Sequence, residues 1–280
     1  MSGTGELISN VSDTARWVAA YRAQESRRGN ALFSDPLADR LAGARGYEIA
    51  AAAPRMMQNG WPVVARTKLM DDLVMTSLAE GCDLVVNLAA GLDTRPYRLP
   101  LSTEFRWAEA DLPDLVAEKS AALADAEPRC TLVRRGVDLA DPAARRGFLD
   151  EILEGASRAL VITEGLLMYL PPETVVELAR DLARPTIAWW MADIARGVLE
   201  RMRAGGSFAN APLLFEPSGG LTFFDEIGWN SVDVEPILAA ARKFRRAPWF
   251  LVPFTFLPQP DPRGPVRGPW SAVVRMRYDG

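Results

Sequence analysis

Three acidic residues directly follow predicted β-strands, in the position where a parallel sheet binds its ligands. Asp111 follows the second strand, Asp138 the third and Glu164 the fourth. In open α/β sheets, ligands bind beyond the carboxyl ends of the strands. Asp111 lies 20 residues after Gly91, the separation at which an acidic residue reaches ribose hydroxyls in dinucleotide sites. Two interpretations stay open for Asp111: it accepts hydrogen bonds from a vicinal diol, or it caps the helix predicted to start at Pro113.

The loop after the first predicted strand indicates which nucleoside could bind. The sequence LVVNLAAGLDTRPYRL, residues 84–99, passes from an apolar strand into a turn of small residues. Ala89 stands where a G-x-G-x-x-G loop has its first glycine, Gly91 keeps the second, and Thr94 replaces the third. These side chains hinder the close approach of a pyrophosphate, which disfavours NAD and FAD. S-adenosylmethionine carries no phosphate, and its carboxylate could lie near helix N-terminal amides, so the loop favours this cofactor.

The composition excludes several kinds of chemistry. The 280-residue chain has no histidine, which removes Ser-His-Asp and Cys-His nucleophile systems, the usual zinc sites and the commonest general base. A carboxylate-only Mg²⁺ or Ca²⁺ site stays conceivable, but no metal site is predicted. Cys82 and Cys130 do not form a metal-type pair, so we expect a reduced, cytoplasmic protein.

Charge and hydropathy narrow the range of partners. The net charge of −4 argues against nucleic acid or an anionic membrane as the main partner. The first residues, MSGTGELISNVSDT, lack the apolar stretch of a signal peptide, and no apolar run is long enough to span a bilayer. We therefore expect neither nucleic acid nor a membrane among the partners, and the oligomeric state is not predicted.

Helices are predicted before the first strand. One begins with Asp13 as its cap, and a second, SDPLADRLAG, has Ser34 or Asp35 as its cap. A third, TKLMDDLVMTSLAEG, ends at Gly81. The chain is expected to form a single domain over residues 1–280, in which 1–82 are an N-terminal helical cap, 83–194 a cofactor-binding core, and 195–280 a lid segment with the final strands.

Strands and helices alternate after this cap, which indicates a parallel sheet with helices on both faces, a doubly wound α/β fold. Two further strands, NSVDVEP and WSAVVRMRY, flank a helix at 237–245 and are expected to close the sheet, one of them antiparallel at an edge. The earlier strands are predicted at 84–89, 106–110, 131–137, 159–163 and 186–192, and the helices between them around 92–99, 113–124, 142–154 and 173–183.

Several blocks of residues, in a fixed order, resemble one enzyme family. The chain is similar to the leucine carboxyl methyltransferase-like O-methyltransferases, including their bacterial branch, over residues 13 to 190 and more loosely beyond. The resemblance implies a class I methyltransferase, with a seven-stranded, mostly parallel Rossmann-like sheet and S-adenosylmethionine as cofactor. The blocks are DTARWVAAYRAQES, ALFSDPLADRLAG, RTKLMDD, VVNLAAGLDTRPYRL, EADLP, GVDL and ITEGLLMYLPPE.

The resemblance also implies roles for individual residues around the cofactor. The family usually has Gly-Ala-Gly where this chain has Ala89-Ala90-Gly91, so an extra methyl group could crowd the methionine tail and lower the affinity. Alternatives without a ligand remain: Arg66 could pair with Asp71 or Asp72, and Glu164 could cap the following turn. The implied roles are Arg66 for the cofactor carboxylate, Ala89 and Gly91 beside the methionine tail, Asp111 for the ribose, Asp138 and Leu139 along the adenine, and Glu164 near the amino group or sulfonium.

The chemistry of the acceptor can be argued from the missing histidine. A carboxylate is already ionised at neutral pH and needs no base, whereas a phenol with a pKa near 10 normally does. The prediction is therefore methyl ester formation on a small-molecule or peptide carboxylic acid, by positioning and with no catalytic residue assigned. Arg16, Arg22 and Arg98 are hypothetical cations for the acceptor carboxylate.

Other functions stay open. One is methylation of a phenol or hydroxyl in polyketide-type secondary metabolism, and another is a non-catalytic, methyltransferase-like binding protein. An NAD-dependent oxidoreductase is disfavoured by Ala89 and Thr94. Aromatic residues late in the chain could line an apolar acceptor site, although packing over the sheet is the favoured interpretation; they are Phe208, Phe215, Phe223, Phe224 and Trp229.

Overall fold

Three α-helices precede the first strand in the part of the chain that the structure describes, as the sequence predicts. The computed structural model describes residues 11–54, 57, 59–197, 213–217, 219–256, 262–263 and 269–279. Helix α1 spans Val11–Ser26, α2 spans Ala38–Ala52 and α3 spans Trp61–Ala79. Because α1 includes Val11, Asp13 lies in its first turn rather than at the cap position, where a negative charge still interacts favourably with the helix dipole.

The second helix also differs from its predicted boundaries. Its cap position is Leu37, and Asp35 stabilises the turn before it by accepting a hydrogen bond from the Ala38 amide at 3.2 Å. The helix continues to Ala52 across a break at Gly43, whose φ is 55°. A positive φ costs glycine little, since it has no Cβ atom, so the chain resumes helical geometry after the break.

A seven-stranded sheet forms the centre of the molecule, in the order β3-β2-β1-β4-β5-β7-β6. Strands β1 to β5 are mutually parallel, and β7 runs antiparallel to both β5 and β6. The strands are β1 Leu84–Leu88, β2 Arg106–Asp111, β3 Thr131–Gly136, β4 Ala159–Thr163, β5 Ile187–Arg196, β6 Trp229–Pro236 and β7 Trp270–Tyr278. The other α-helices in the described part of the chain are α4 Arg95–Arg98, α5 Pro113–Ala122, α6 Pro142–Leu153, α7 Pro172–Leu182, α8 Thr222–Asp225 and α9 Ile237–Lys243.

The antiparallel strand lies inside the sheet and not at its edge, which corrects the sequence-based expectation. Strand β7 is buried from Ala272 to Met276, whereas β6 alternates between buried and more exposed positions. A strand with neighbours on both sides buries both faces, while an edge strand can leave positions exposed to water. The buried run AVVRM in β7 therefore belongs between β5 and β6.

The core packs on both faces of the sheet. Val85 and Leu160 point toward α3 and α9, whereas Val86 and Val161 point toward α6 and α7, which is the alternation that a strand produces. A third cluster, which includes Trp17, joins α1 and α2 to Leu92 and to α5. These buried runs explain why β1 and β4 are the central strands on which the candidate site is built.

The late aromatic residues belong to this core, so the interpretation as packing is correct for those that the structure describes. Phe215, Phe224 and Trp229 are buried, and Phe223 is partly buried against the same cluster. Their rings make edge-to-face contacts, with centroids 5.1 Å apart for Phe215 and Phe223. Phe208 and most of the predicted lid lie outside the described residues.

A buried ion pair ties the cap to the segment after α9. Arg246 Nη2 donates to Glu25 Oε1 at 2.7 Å and Arg246 Nε donates to Glu25 Oε2 at 2.9 Å, and both side chains are almost fully buried. Arg246 Nη2 also donates to the Asn30 carbonyl at 2.6 Å. The contact joins residues 221 positions apart, so it fixes the end of α1 against the late part of the chain.

We expect Arg246→Met to lower the free energy of unfolding by about 3 kcal/mol, because it leaves the Glu25 carboxylate buried without its main partner. Urea denaturation followed by circular dichroism measures the change. The matched control is Arg27→Met, directly after α1, which breaks an exposed pair with Asp39 and should change stability by less than about 1 kcal/mol. Equal losses of unfolding free energy in the two variants would show that the buried pair contributes no more to stability than the exposed pair.

Candidate functional site

The turn after β1 has an unusual backbone. Ala89 and Gly91 both have positive φ values, 57° and 48°. Asp93 closes the turn: its Oδ1 accepts from the Arg95 amide at 3.0 Å, and its Oδ2 accepts from Asn87 Nδ2 at 2.9 Å. The left-handed conformation costs an L-residue about 1–2 kcal/mol, so Ala89 is strained at a position where glycine would not be.

Asp111 ends β2 and holds this turn. Its Oδ2 accepts from the Gly91 amide at 2.6 Å and its Oδ1 from the Leu112 amide at 2.8 Å. The cap position of α5 is Leu112, without a side-chain cap, so the interpretation of Asp111 as a helix cap is wrong. Burial raises the pKa of Asp111, and the two amide hydrogen bonds only partly oppose this. Since an ionised carboxylate can accept about four hydrogen bonds, Asp111 retains capacity for a diol.

Arg66 lies between two carboxylates, Glu164 directly after β4 and Asp193 within β5. Its Nη1 donates to Asp193 Oδ2 at 2.6 Å, and its Nε lies 2.9 Å from Glu164 Oε1. Asp193 Oδ1 also accepts from the Gly165 amide at 2.6 Å. The sequence-based alternative that Arg66 pairs with Asp71 or Asp72 is therefore wrong.

Glu164 is bound by two guanidinium groups. Arg95 Nη1 donates to Glu164 Oε2 at 2.8 Å, and Arg66 lies on its other oxygen. Burial raises the pKa of Glu164, but the charges of Arg95 and Arg66 outweigh burial and hold the pKa below its usual value. The following 3₁₀ turn has no side-chain cap, so Glu164 does not act as the cap that was considered as an alternative.

The predicted adenine-binding residues follow β3. Asp138 is exposed, and its Oδ1 accepts from the Ala140 amide at 2.9 Å. Leu139 is buried, and its carbonyl accepts from Arg145 Nη1 at 2.7 Å. Asp138 Oδ2 accepts no hydrogen bond from any residue that the structure describes, so this oxygen is available to an amine such as the exocyclic group of adenine.

The three arginines suggested for the acceptor are already partnered. Arg98 donates through Nη1 and Nη2 to Asp71, at 2.6 and 2.7 Å. Arg22 Nε donates to Asp35 Oδ2 at 2.9 Å, and both side chains are buried. Arg22 and Arg98 are thus ion-paired within the protein, as Arg66 is, and their contact with the acceptor stays a prediction. Arg16 differs: its side chain is 27% exposed and pairs with the partly exposed Glu118 at 2.5 Å.

Two functional candidates were missed by the sequence analysis. Asp193 directly follows the fifth strand as predicted, 186–192, so the rule that selected Asp111 applies to it as well; in the structure it lies within β5, which continues to Arg196. Asp93 is buried, and its burial alone would raise its pKa. The positive charges of Arg95 and of other nearby cations outweigh this effect, so the pKa of Asp93 lies below its usual value. The only feature of the sequence that pointed to Asp93 is its position in the loop after β1, two residues before Arg95.

The residues at this edge of the sheet fit S-adenosylmethionine by their chemistry. Asp111 offers acceptors for a diol, Asp138 a free carboxylate oxygen, and Arg66 a guanidinium. The Arg66 Nε–H is buried and has no aligned hydrogen-bond partner among the described residues, as expected for a group that could turn toward a further anion. This site, on a sheet of order 3-2-1-4-5-7-6, defines the class I methyltransferase architecture.

Solved structures with the same fold support this class. The chain superposes on a DUF574 family protein from Streptomyces avermitilis with a TM-score of 0.58 and 17% identity, covering 94% of this chain and 96% of that one. It also superposes on a provisionally named methyltransferase from Thermobifida fusca with a TM-score of 0.57 and 14% identity, covering 99% and 98%. At these identities the match shows the fold alone, and it confirms the predicted fold class.

Sequence comparison identifies the family. The profile of the leucine carboxyl methyltransferase family matches residues 15–183. Provisionally named S-adenosylmethionine-dependent methyltransferases are similar: 33% identity with one from Streptomyces coelicolor, over 82% of this chain and 85% of that protein, and 36% with one from Mycolicibacterium smegmatis, over 64% of each. The chain therefore spans less than two thirds of the M. smegmatis relative. The chain belongs to the leucine carboxyl methyltransferase family of S-adenosylmethionine-dependent methyltransferases, which confirms the predicted family and cofactor.

We expect Ala89→Gly to stabilise the protein by about 1 kcal/mol, because relief of the left-handed strain exceeds the added chain entropy of glycine. Affinity for S-adenosylmethionine should be equal or higher, since the variant also removes the methyl group predicted to crowd the tail. Urea denaturation and calorimetric titration measure the two effects. The neighbouring Ala90→Gly is the matched control, because Ala90 does not have a positive φ, and it should destabilise. A loss of stability in Ala89→Gly would contradict the strain argument.

Cofactor affinity should depend on the protonation of Asp111. Because burial raises the pKa of Asp111 above its usual value of 3.8, its carboxylate takes up a proton at a higher pH than an ordinary Asp does. Affinity should therefore fall as the pH decreases toward and below this raised pKa, by up to about tenfold per pH unit below it. Calorimetric titration with S-adenosylhomocysteine measures this dependence. Asp111→Asn should bind more weakly and with a flat pH profile, and an unchanged profile in that variant would assign the titration to another group.

Proposed function

We propose that this protein transfers a methyl group from S-adenosylmethionine to a carboxylate oxygen of a small-molecule or peptide acid, forming a methyl ester. The observation that carries the proposal is that the described residues provide no suitable base around Glu164. The whole chain has no histidine, and Glu164 is ion-paired with a lowered pKa. Burial raises the pKa of Tyr169, so this phenol stays protonated near neutral pH. An acceptor that is ionised in water needs no proton removed.

The chain's contribution to the reaction is positioning. When bound, S-adenosylmethionine supplies a methyl group activated by its sulfonium. Arg66 would hold the carboxylate of the cofactor, Glu164 would face its amino group, and Asp111 would bind the ribose. Arg66 and Glu164 are held by partners on other elements, Asp193 and Arg95. A pre-formed arrangement of this kind lowers the entropic cost of bringing the reactants together.

Helix α1 covers the loop at the methionine end. A Cβ atom added at Gly91 would lie 3.6 Å from the Cβ of Ala15, so the helix is in van der Waals range of the turn. Such a cover limits access of water to the transfer site. Arg16 follows Ala15, and its pair with Glu118 is partly exposed. Because exposed ion pairs contribute little stability, Arg16 can exchange Glu118 for an acceptor carboxylate, and it is our candidate for that role.

The proposal is tested by the chemical stability of the product. Incubation with methyl-labelled S-adenosylmethionine and a panel of carboxylic acids and phenols should yield label that mild alkali releases as methanol, which is characteristic of a methyl ester and not of an aryl ether. The turnover number should stay constant from pH 6 to 9, since no base has to be deprotonated.

Three other outcomes would separate the alternatives. Alkali-stable label, with turnover rising with pH, would indicate a phenol or hydroxyl acceptor. Cofactor binding without turnover of any acceptor in the panel would favour the non-catalytic alternative. Binding of neither S-adenosylmethionine nor its demethylated product, in a protein with a normal unfolding transition, would reject the enzyme proposal. Asp111→Ala serves as the control that should lose cofactor binding.

A further inference from the structure

An aromatic patch lies on the surface between α9 and β7. We use this name for Trp249, Phe250, Phe254 and Phe256, whose exposed fractions are 85%, 38%, 57% and 72%. The last two lie in the 3₁₀ turn Val252–Phe256. Other large apolar residues that the structure shows exposed are more widely spaced along the chain. Four exposed aromatic rings within eight residues indicate an interaction surface.

The surroundings of the aromatic patch are basic. Arg242, Lys243 and Arg245 are exposed at the end of α9, and the Arg242 guanidinium lies 4.5 Å from the centre of the Phe256 ring. The sequence has no acidic residue between Glu235 and Asp261. A chain with a net charge of −4 thus carries a basic segment beside the aromatic patch, which complements a negatively charged partner.

The turn that carries the aromatic patch is held in place. Arg242 Nη1 donates to the Thr255 carbonyl at 3.0 Å, and Thr255 Oγ1 donates to the Val252 carbonyl at 2.6 Å. Upstream, Arg246 is fixed to Glu25 in the cap. Because the backbone is anchored at both places, the rings are presented to solvent by a defined structure.

We propose that the aromatic patch and the three cations beside it dock the protein onto an anionic phospholipid surface. Aromatic rings favour the boundary between headgroups and acyl chains. Each Lys or Arg close to an anionic surface contributes about 1 kcal/mol. A second copy of this chain is a poorer occupant, because a two-fold interface places each patch against itself, and the cations would then face one another.

This proposal departs from the expectation based on net charge. A summed charge describes the average field of the molecule, whereas docking depends on charges within a Debye length of the surface, about 8 Å at physiological salt. The proposal concerns the surface only: among the described residues, no helix is long and apolar enough to cross a membrane.

The test uses vesicles of phosphatidylcholine with and without phosphatidylglycerol. We expect the protein to sediment with the anionic vesicles only, and less at high salt. Trp249 is the one strongly exposed member of the eight tryptophans, so anionic vesicles should protect tryptophan fluorescence from iodide quenching, and this protection should vanish in Trp249→Phe. Replacement of Trp249, Phe254 and Phe256 by Ala should abolish sedimentation with vesicles.

Charge variants and competing occupants complete the test. Lys243→Glu with Arg245→Glu should lower the partition coefficient at least about 25-fold, about fivefold for each lost cation. Arg135→Glu with Arg146→Glu, both exposed and on other elements, makes the same change in net charge and should have little effect. Equal effects of the two pairs, equal binding to neutral vesicles, or retained binding in the triple alanine variant would overturn the proposal. So would protection of Trp249 by self-association, or equally tight binding of a single-stranded oligonucleotide through the same residues.

Discussion

The candidate site depends on a single buried guanidinium. Arg95 is 1% exposed and donates to Asp71 on α3, to Asp93 in the loop after β1, and to Glu164 after β4. A buried charge is costly unless its hydrogen-bonding groups are satisfied with good geometry, so the three elements have to meet in one arrangement. Arg95 thereby fixes the cap helix, the cofactor loop and the end of a central strand relative to one another.

This constraint explains why the helical cap belongs to the site. Helix α3 places Arg66 beside Glu164 after β4 and Asp193 in β5, and it places Asp71 beside Arg95 and Arg98. A displacement of α3 would leave several charges without partners at once, which is far more costly than the loss of apolar contacts alone. The cap and the sheet therefore form one cooperative unit around the cofactor-binding edge. The strain at Ala89 is compatible with this unit, because the surrounding hydrogen bonds determine the loop backbone.

Much of this arrangement could be predicted from the sequence, and the limits have a physical origin. The strand ends that carry Asp111 and Glu164 follow from local patterns, since hydrophobic runs and turns define where strands stop. The partners of Arg66 and Arg98 do not follow from local patterns, because an ion pair such as that of Arg66 with Asp193 joins residues 127 positions apart. The interior position of β7 was not predicted for the same reason. The sequence of a strand indicates whether its two faces are buried, but its neighbours depend on the arrangement of the whole sheet.

The distribution of charge separates two kinds of arginine in this chain. Those in the site, Arg66, Arg95 and Arg98, are buried and matched by carboxylates, so their charges position groups and are hardly felt outside the protein. Those at the end of α9 are exposed and lie where the sequence offers no acidic residue, so their field extends into solvent over about a Debye length. The net charge of −4 is a sum over the whole chain, so it does not distinguish buried, ion-paired arginines from exposed ones. The buried cations favour a rigid cofactor site, and the exposed cations favour an external anionic partner. The Glu25–Arg246 ion pair connects the two regions, because it joins the helical cap beside the cofactor site to the segment that carries the aromatic patch.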